Sequence, residues 1–289
     1  MVVDFDQVIK AGKQVGRTPT SLPLRVAVAA MISPKETFSS YGRLLDYISQ
    51  KTGRDTEFVQ RKTYREISEL LGKGGIDIAF ICSGPYARGK ERHGFELLAV
   101  PEVRGRTEYR SYLIVNDPAI RDLEGLRGRI FAFTDPESNT GRLVPAHWVA
   151  LLGERPESFF GKILYTYSHD NSIQAVARGL VDGAAVDSLI WEYYHDRNPA
   201  FAASTRVIRQ SEPYPIPPVV SSRRLGEKEA DRIRQALVSM HLEPEGRMLL
   251  NRLRMDRFIY PPESWHASMV HIEKMIAFVG EKDGGMEKP

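Results

Sequence analysis

Hydroxyl and amide side chains gather where a predicted strand runs into a predicted helix. In RIFAFTDPESNTGRLVPAHWV, Ser138, Asn139 and Thr140 follow an apolar strand and precede an amphipathic helix. The first turn of a helix carries unsatisfied backbone N–H groups and about half a positive charge, so it binds an anion without needing Lys or Arg. The stretch indicates either an oxyanion-binding loop or a helix cap made by Ser138 or Thr140.

A second junction of the same kind carries a histidine. In LYTYSHDNSIQAVARGLVDGAAVDS, Ser168, His169 and Asp170 open a predicted helix directly after a predicted strand. A positive helix end favours the neutral imidazole, which can donate one hydrogen bond to an oxyanion. His169 is therefore a candidate ligand residue, with capping or packing as the alternative.

A carboxylate, Asp187, ends the apolar strand in GAAVDS. A carboxylate only accepts hydrogen bonds, so it can receive one from an oxyanion that still carries a hydrogen and repels a fully ionised one. We therefore expect a preference for monoprotonated oxyanions and rejection of sulfate. The alternative is that Asp187 caps the helix that follows.

These junctions lie within an alternating pattern of strands and helices. LPLRVAVAA, DTEFVQ and IDIAFIC are predicted strands separated by helices, after a polar lead-in, and the alternation starts again beyond EYRSYLIVN. A β-α-β order implies parallel strands, and ligands collect at their carboxyl ends. The pattern predicts an α/β fold of two lobes with a ligand cleft between them.

We expect residues 1–108 and 212–289 to form lobe I, which contains both termini, and residues 109–211 to form lobe II with the anion-binding helix starts. The chain would cross between the lobes near Tyr109 and again at 213–218, where prolines cluster. The polar tail EKDGGMEKP is expected to fray.

Composition excludes several classes of protein. The 40 basic and 37 acidic residues form no long basic run, so we expect no nucleic-acid partner. Cys82 is the single cysteine, and the histidines show no HExxH pattern, so neither a disulfide nor a metal site is expected. No stretch approaches the ~18 apolar residues of a membrane helix. We expect a soluble chain, cytoplasmic or, if a leader or anchor is missing from this sequence, periplasmic or extracytoplasmic.

Two motifs together carry a family resemblance. DPESNTGRLVP, at 135–145, resembles the D-P-x-S-T-S-G-x-x-x-P motif of phosphonate and phosphite transporter binding proteins of the PhnD type, and SHDNSIQAVARGLVDGAAVDS is similar to that family's second signature. The resemblance covers roughly Leu24 to Leu250. It implies the type II periplasmic-binding-protein fold, a small phosphorus oxyanion as ligand, the membrane permease of an ABC transporter as partner, and neither catalysis nor a cofactor.

The resemblance also implies which residues bind the ligand. The family's hydroxyl ligands fall on Ser138, Asn139 and Thr140, its histidine on His169, and its two tyrosines on Tyr64 and Tyr109. The tyrosines could equally be structural, because buried tyrosines usually have a hydrogen-bond partner. Tyr86 is a weaker candidate for the cleft wall.

The sequence departs from the family at places that bear on the ligand. Asn139 stands where the family has a hydroxyl residue. The acidic residues that hold the ammonium group in aminoalkylphosphonate binders are matched by apolar positions near Leu189 and Pro217. A buried ammonium without a carboxylate is costly, so phosphite, methylphosphonate or phosphate is expected in preference to an aminoalkyl ligand.

Two other functions share this architecture. A ligand-sensing domain of a membrane receptor or histidine kinase would have the same fold and site, and the sequence leaves it open. An enzyme resembling thiamine-precursor synthases is less favoured, because catalysis needs a positioned nucleophile, base or cofactor lysine and neither motif contains a lysine.

Overall fold

The computed structural model describes residues 8–11, 22–29, 31, 34–197, 199 and 203–283, which divide into two units. Unit 1 takes the described residues of Met1–Ala30, Pro34–Glu108 and Ile216–His266. Unit 2 takes those of Met31–Ser33, Tyr109–Pro215 and Ala267–Pro289. The chain therefore leaves unit 1 after Glu108 and returns to it at Ile216.

Strands and helices alternate along most of the chain. The strands are β1 (Val8–Ala11), β2 (Leu24–Val28), β3 (Thr56–Val59), β4 (Ile78–Phe80), β5 (Glu96–Glu102), β6 (Glu108–Tyr109), β7 (Ser111–Val115), β8 (Ile130–Phe133), β9 (Lys162–Tyr165), β10 (Gly183–Asp187), β11 (Arg206–Gln210), β12 (Tyr214–Pro215), β13 (Val219–Ser221) and β14 (Arg257–Ile259). The α-helices are α1 (Pro34–Thr52), α2 (Tyr64–Lys73), α3 (Ser83–Gly89), α4 (Val144–Leu151), α5 (Pro156–Phe159), α6 (His169–Ala177), α7 (Ser188–Arg197), α8 (Glu227–Val238), α9 (Pro244–Arg252) and α10 (Glu263–Asp283). Shorter π-helical turns cover Lys90–Gly94 and Asn139–Leu143, and 3-10 turns cover Glu124–Leu126 and Met240–Leu242.

Unit 1 is built on a sheet with the strand order β1-β3-β2-β4-β13-β5-β14. β2 runs parallel to β3 and β4, as the β-α-β pattern predicts. The helix after β3 shows how local signals fix an element: Thr63 and Glu66 form a reciprocal capping box at the start of α2, and Gly74 ends it with a φ of 71°. The predicted helix over TYREISELLGKGG is confirmed.

Unit 2 is built on a second sheet with the order β11-β7-β10-β8-β9. β8, β9 and β10 are parallel, and β7 runs antiparallel to β10 and β11. Side chains of Ala132 and Val186 pack with Ile173 of α6 in a fully buried cluster. This core holds the starts of α6 and α7 against the sheet, which fixes where the polar residues at those helix starts lie.

The structure differs from the predicted organisation at both ends of the chain. The polar lead-in contains β1, which pairs antiparallel with β3. Residues 212–215 and the described residues 267–283 group with unit 2, although lobe I was predicted to span 212–289. The physical reason is α10, in which Met275 lies 3.7 Å from the Tyr214 hydroxyl and the Phe278 ring lies 5.2 Å from the His147 ring. The predicted fraying of the tail falls mostly on 284–289, outside the described residues.

The long α10 is not a membrane segment. Across the described part of the chain, no helix combines the length and the apolar character needed to span a bilayer.

Candidate ligand site

Three polar junctions lie at one edge of the sheet in unit 2. The carboxyl ends of the parallel strands β8, β9 and β10 share this edge; loops lead from β8 and β9 into helical segments, and β10 runs directly into α7. The antiparallel β7 begins at the same edge, because Ser111 is paired with Asp187. The sheet therefore brings Ser138–Thr140, Ser168–Asp170 and Asp187 to the same side of unit 2.

Ser138 caps the turn that leads into α4. Its hydroxyl oxygen accepts a hydrogen bond from the backbone N–H of Gly141 at 3.0 Å. The capping role weighed from the sequence is thus present, but it uses an acceptor lone pair and leaves the hydroxyl hydrogen for another partner. Glycine fits here without strain, whereas a β-carbon at position 141 would overlap the Thr134 side chain.

Asn139 and Thr140 are completely buried and are held from outside their loop. The Asn139 amide nitrogen donates to the Tyr109 hydroxyl at 3.2 Å, and the Ser111 hydroxyl donates to the Thr140 carbonyl at 2.7 Å. Among the described residues, Asn139 Oδ1 and Thr140 Oγ1 have no hydrogen-bond partner. A buried polar group left unsatisfied costs about 1–3 kcal/mol, so these two atoms have unused binding capacity.

His169 is a neutral hydrogen-bond donor. Its Nδ1 accepts the backbone N–H of Asp187 at 3.1 Å, so the proton of the neutral ring is on Nε2. Burial lowers the pKa of His169 from 6.5 to about 3, which keeps the ring uncharged at neutral pH. The ring can therefore offer one Nε2–H donor and no positive charge.

Asp187 caps α7 and is also an unusually weak acid. Its Oδ1 accepts the backbone N–H groups of Leu189 at 2.8 Å and Ile190 at 3.3 Å, so the capping alternative holds for this oxygen. Burial raises the pKa of Asp187 from 3.8 to about 7, against the two backbone hydrogen bonds, which lower it. Near neutral pH the carboxyl group is thus divided between a form that only accepts and a form that can donate.

The candidate tyrosines lie in different units. Tyr109 is buried in unit 2, beside Asn139. Tyr64 begins α2 and is buried in unit 1, where Tyr86 packs edge-on against Trp265 at 5.4 Å. The structure of unit 2 thus brings together Tyr109, Ser138, Asn139, Thr140, His169 and Asp187. The roles predicted for Tyr64 and Tyr86 stay predictions.

Two residues at this edge were not predicted from the sequence. Ser111 orients the Thr140 carbonyl, and only the pairing of β7 with β10 reveals that it lies there. Thr134 directly follows β8 and is completely buried. Its position one residue before the DPESNTG motif was the available signal. No group of three or more His, Cys, Asp or Glu side chains in the described ranges is arranged to hold a metal ion.

Known structures define the class of this fold. A binding protein component of an ABC phosphonate transporter from Pseudomonas aeruginosa superposes with a TM-score of 0.84 at 24% identity, over 91% of this chain and 88% of that one. PhnD1 from Prochlorococcus marinus, in complex with methylphosphonate, gives 0.78 at 17% identity, over 91% and 98%. The predicted α/β, type II periplasmic-binding-protein fold is confirmed.

The sequence then specifies the family within that class. The family described as ABC transporter, phosphonate, periplasmic substrate-binding protein matches residues 26–265, and this chain belongs to it. Its members are transport proteins of the periplasm and not enzymes. The phosphate-import protein PhnD of Mycolicibacterium smegmatis is 27% identical over 197 residues, and the match spans 62% of this chain and 60% of that protein.

Proposed function

We propose that this chain binds a small phosphorus oxyanion at the described edge of unit 2 and delivers it to the membrane permease of an ABC transporter. The ligand class is a phosphonate, phosphite or phosphate. Membership of the periplasmic family supports this class, as do a relative named for phosphate import and a similar structure that contains methylphosphonate. We further propose that the protein acts outside the cytoplasm, as the family does.

The observation that carries the proposal is the unused polar capacity in a completely buried loop. Thr140 Oγ1 is unpartnered within the described residues, and the Ser138 hydroxyl uses only its acceptor side. His169 adds an Nε2–H donor from the next junction, without a charge. Donors fixed in advance by the fold stabilise an oxyanion without reorganisation, which is the arrangement that a phosphorus oxyanion requires.

Two further helix starts reinforce the anion preference. α6 begins at His169 and α7 begins at Ser188, at the same edge of the sheet as the turn into α4. Asp187 caps the first turn of α7 and Ser168 caps that of α6, so the contribution of these two helix starts is the partial positive charge of the helix dipole. Asp187 opposes this field when ionised, so it favours a ligand that brings a proton. The contribution of Tyr64 and the ligand cleft between lobes remain predictions from the resemblance, and the sensing alternative stays open.

The test is titration calorimetry with phosphite, methylphosphonate, phosphate and sulfate. The double variant Ser138→Ala with Thr140→Ala should lose roughly 100-fold or more in affinity, because each charge-assisted bond is worth about 1.5–3 kcal/mol. Ser222→Ala is the matched control: Ser222 is buried in unit 1, and its hydroxyl accepts a backbone N–H from Arg224 at 3.3 Å, as Ser138 does from Gly141. Undiminished affinity in the double variant would show that Ser138 and Thr140 only cap the turn.

A further inference from the structure

Thr134 connects two of the three junctions through its backbone. Its N–H donates to the carbonyl of Gly141 at 3.2 Å, and its carbonyl accepts the N–H of Tyr167 at 2.8 Å. It thereby ties the end of the Ser138 loop to the residues just before His169. Tyr167 has a φ of 59°, a left-handed conformation that is uncommon for a non-glycine residue and concentrates at ligand clamps.

The side chain of Thr134 lies inside the Ser138 loop. It occupies the space that a β-carbon on Gly141 would need. The side chain is completely buried, and its hydroxyl has no hydrogen-bond partner among the residues that the structure describes. Asn139 Oδ1 and Thr140 Oγ1 share this condition, so three unpartnered buried polar atoms fall within seven consecutive residues.

A valine has nearly the same volume and would bury no unsatisfied hydroxyl, so the hydroxyl of Thr134 needs a hydrogen-bond partner to offset the cost of its burial. A hydroxyl carries one hydrogen to donate, and the group best able to receive it here is a charged oxygen, which makes the stronger type of bond. Ligand binding at this loop would provide such an oxygen.

We propose that Thr134 is a further ligand-binding residue, whose hydroxyl donates a hydrogen bond to an oxygen of the bound oxyanion alongside Thr140. This inference rests on the proposed function. It adds a donor from the end of β8 itself, a rigid strand, to the donors supplied by the turn.

The experiment compares binding and stability in the same set of variants, with phosphite and methylphosphonate as probes. Thr134→Val should lower the affinity at least tenfold, and the melting temperature of the ligand-free protein should stay close to that of the wild type, because the removal of an unsatisfied hydroxyl offsets the larger methyl beside Gly141. Thr134→Ser, which keeps the hydroxyl, should bind within about threefold of wild type, since tenfold corresponds to a whole hydrogen bond. Thr52→Val is the matched control, because Thr52 is buried in unit 1 and its hydroxyl is satisfied by the Ile48 carbonyl at 2.8 Å. That control should melt lower and bind normally.

Unchanged affinity in Thr134→Val overturns the inference and leaves Thr134 as a buried hydroxyl that serves the loop or an internal water. If the valine variant does not fold, the pair Thr134→Ala and Thr134→Ser decides: weaker binding by the alanine variant alone supports the inference, and equal binding by both refutes it. The double variant Ser138→Ala with Thr140→Ala distinguishes a failure of the proposed function from a failure of the inference about Thr134. Wild-type affinity in that variant, or no binding of phosphite, methylphosphonate or phosphate by the wild type, overturns the proposed function together with this inference. Loss of binding there with normal binding by Thr134→Val removes only Thr134.

Discussion

The substitution Asp187→Asn removes the ionisable carboxyl group but keeps a side-chain oxygen that can cap α7. Oδ1 of Asp187 accepts the N–H groups of Leu189 and Ile190, and an asparagine oxygen can accept both in the same way. The start of α7 should therefore persist in the variant. What disappears is the buried carboxyl group, whose pKa is raised from 3.8 to about 7.

The sign of the stability effect follows from that pKa. Because the pKa is raised in the folded protein, folding favours the protonated group, and the associated stability is fully present below about pH 4. It is lost as the pH rises through about 7, where the folded protein finally releases the proton. A rise from 3.8 to about 7, at about 1.4 kcal/mol per pH unit, amounts to about 4 kcal/mol.

We therefore expect Asp187→Asn to match the ligand-free wild type in stability near pH 4 and to exceed it by up to about 4 kcal/mol at pH 8. Urea unfolding followed by tryptophan fluorescence at several pH values measures this difference, and Trp148 and Trp191 both lie in unit 2. A stability difference that stays constant between pH 4 and 8 would refute the argument, because it would show that Asp187 does not change its protonation in this range.

Ligand binding should also depend on the protonation of Asp187. A carboxylate facing a P–OH group and a carboxylic acid facing an ionised oxygen are two descriptions of one shared hydrogen. Above pH 7 both partners are ionised when free, so binding by the wild type must take up a proton and the affinity should fall about tenfold per pH unit. Asp187→Asn should flatten this dependence. Calorimetry in buffers of different ionisation enthalpy counts the protons directly, and zero uptake at pH 8 would contradict the scheme. Rejection of sulfate, expected from the sequence, should accordingly hold at pH 8 and weaken at pH 6, where protonated Asp187 can donate.

Two other predictions concern the loop and the histidine. Gly141→Ala should lower the stability of the protein by about 1–3 kcal/mol, because the added carbon overlaps Thr134, whereas Gly42→Ala, in α1 with no atom within 4 Å of the new carbon, should be neutral or stabilising. Melting curves that cannot tell the two variants apart would show that the loop yields to the added carbon. His169 should show no titration between pH 5 and 8 by NMR, because burial lowers its pKa to about 3, and His169→Phe should weaken oxyanion binding at least about tenfold by removing one donor. A ring titration with a midpoint in that range would mean that the imidazole is not held neutral.

The three junctions were predictable because each is a local signal. A short apolar strand, then Ser, Thr, Asn or Asp, then an amphipathic helix can be recognised in a dozen residues, and Ser138 and Ser168 do accept backbone N–H groups from three residues later. Parallel strands then place such junctions at one edge without further information. The alternating pattern therefore sufficed for the fold class and for most of the candidate residues in unit 2.

What the sequence reading missed depends on tertiary contacts or on a weaker pattern. α10 was not predicted, although Trp265, Met269, Ile272 and Met275 recur at helical spacing and are all buried. Its packing against Tyr214 and His147 moved the C-terminal residues into unit 2, which no local pattern indicates. The acidity of Asp187 likewise comes from burial, which its neighbours in sequence do not determine.

Asn139, which stands where the family has a hydroxyl residue, can act as either acceptor or donor, and this bears on the pH dependence expected from Asp187. Among the described residues, only one of its two polar amide atoms has a partner. That partner is the Tyr109 hydroxyl, which can accept from the amide nitrogen or, after a half-turn of the amide, donate to the oxygen. Under the proposed function, the other atom would offer the ligand an acceptor in the first orientation and a donor in the second. A hydroxyl residue at this position would adapt to the ligand by rotating its single hydrogen, whereas the asparagine does so only by turning its amide together with the Tyr109 hydrogen bond. We therefore expect Asn139 to accommodate either protonation state of a phosphorus oxyanion, and we expect Asp187, whose pKa is raised to about 7, to set how the affinity depends on pH.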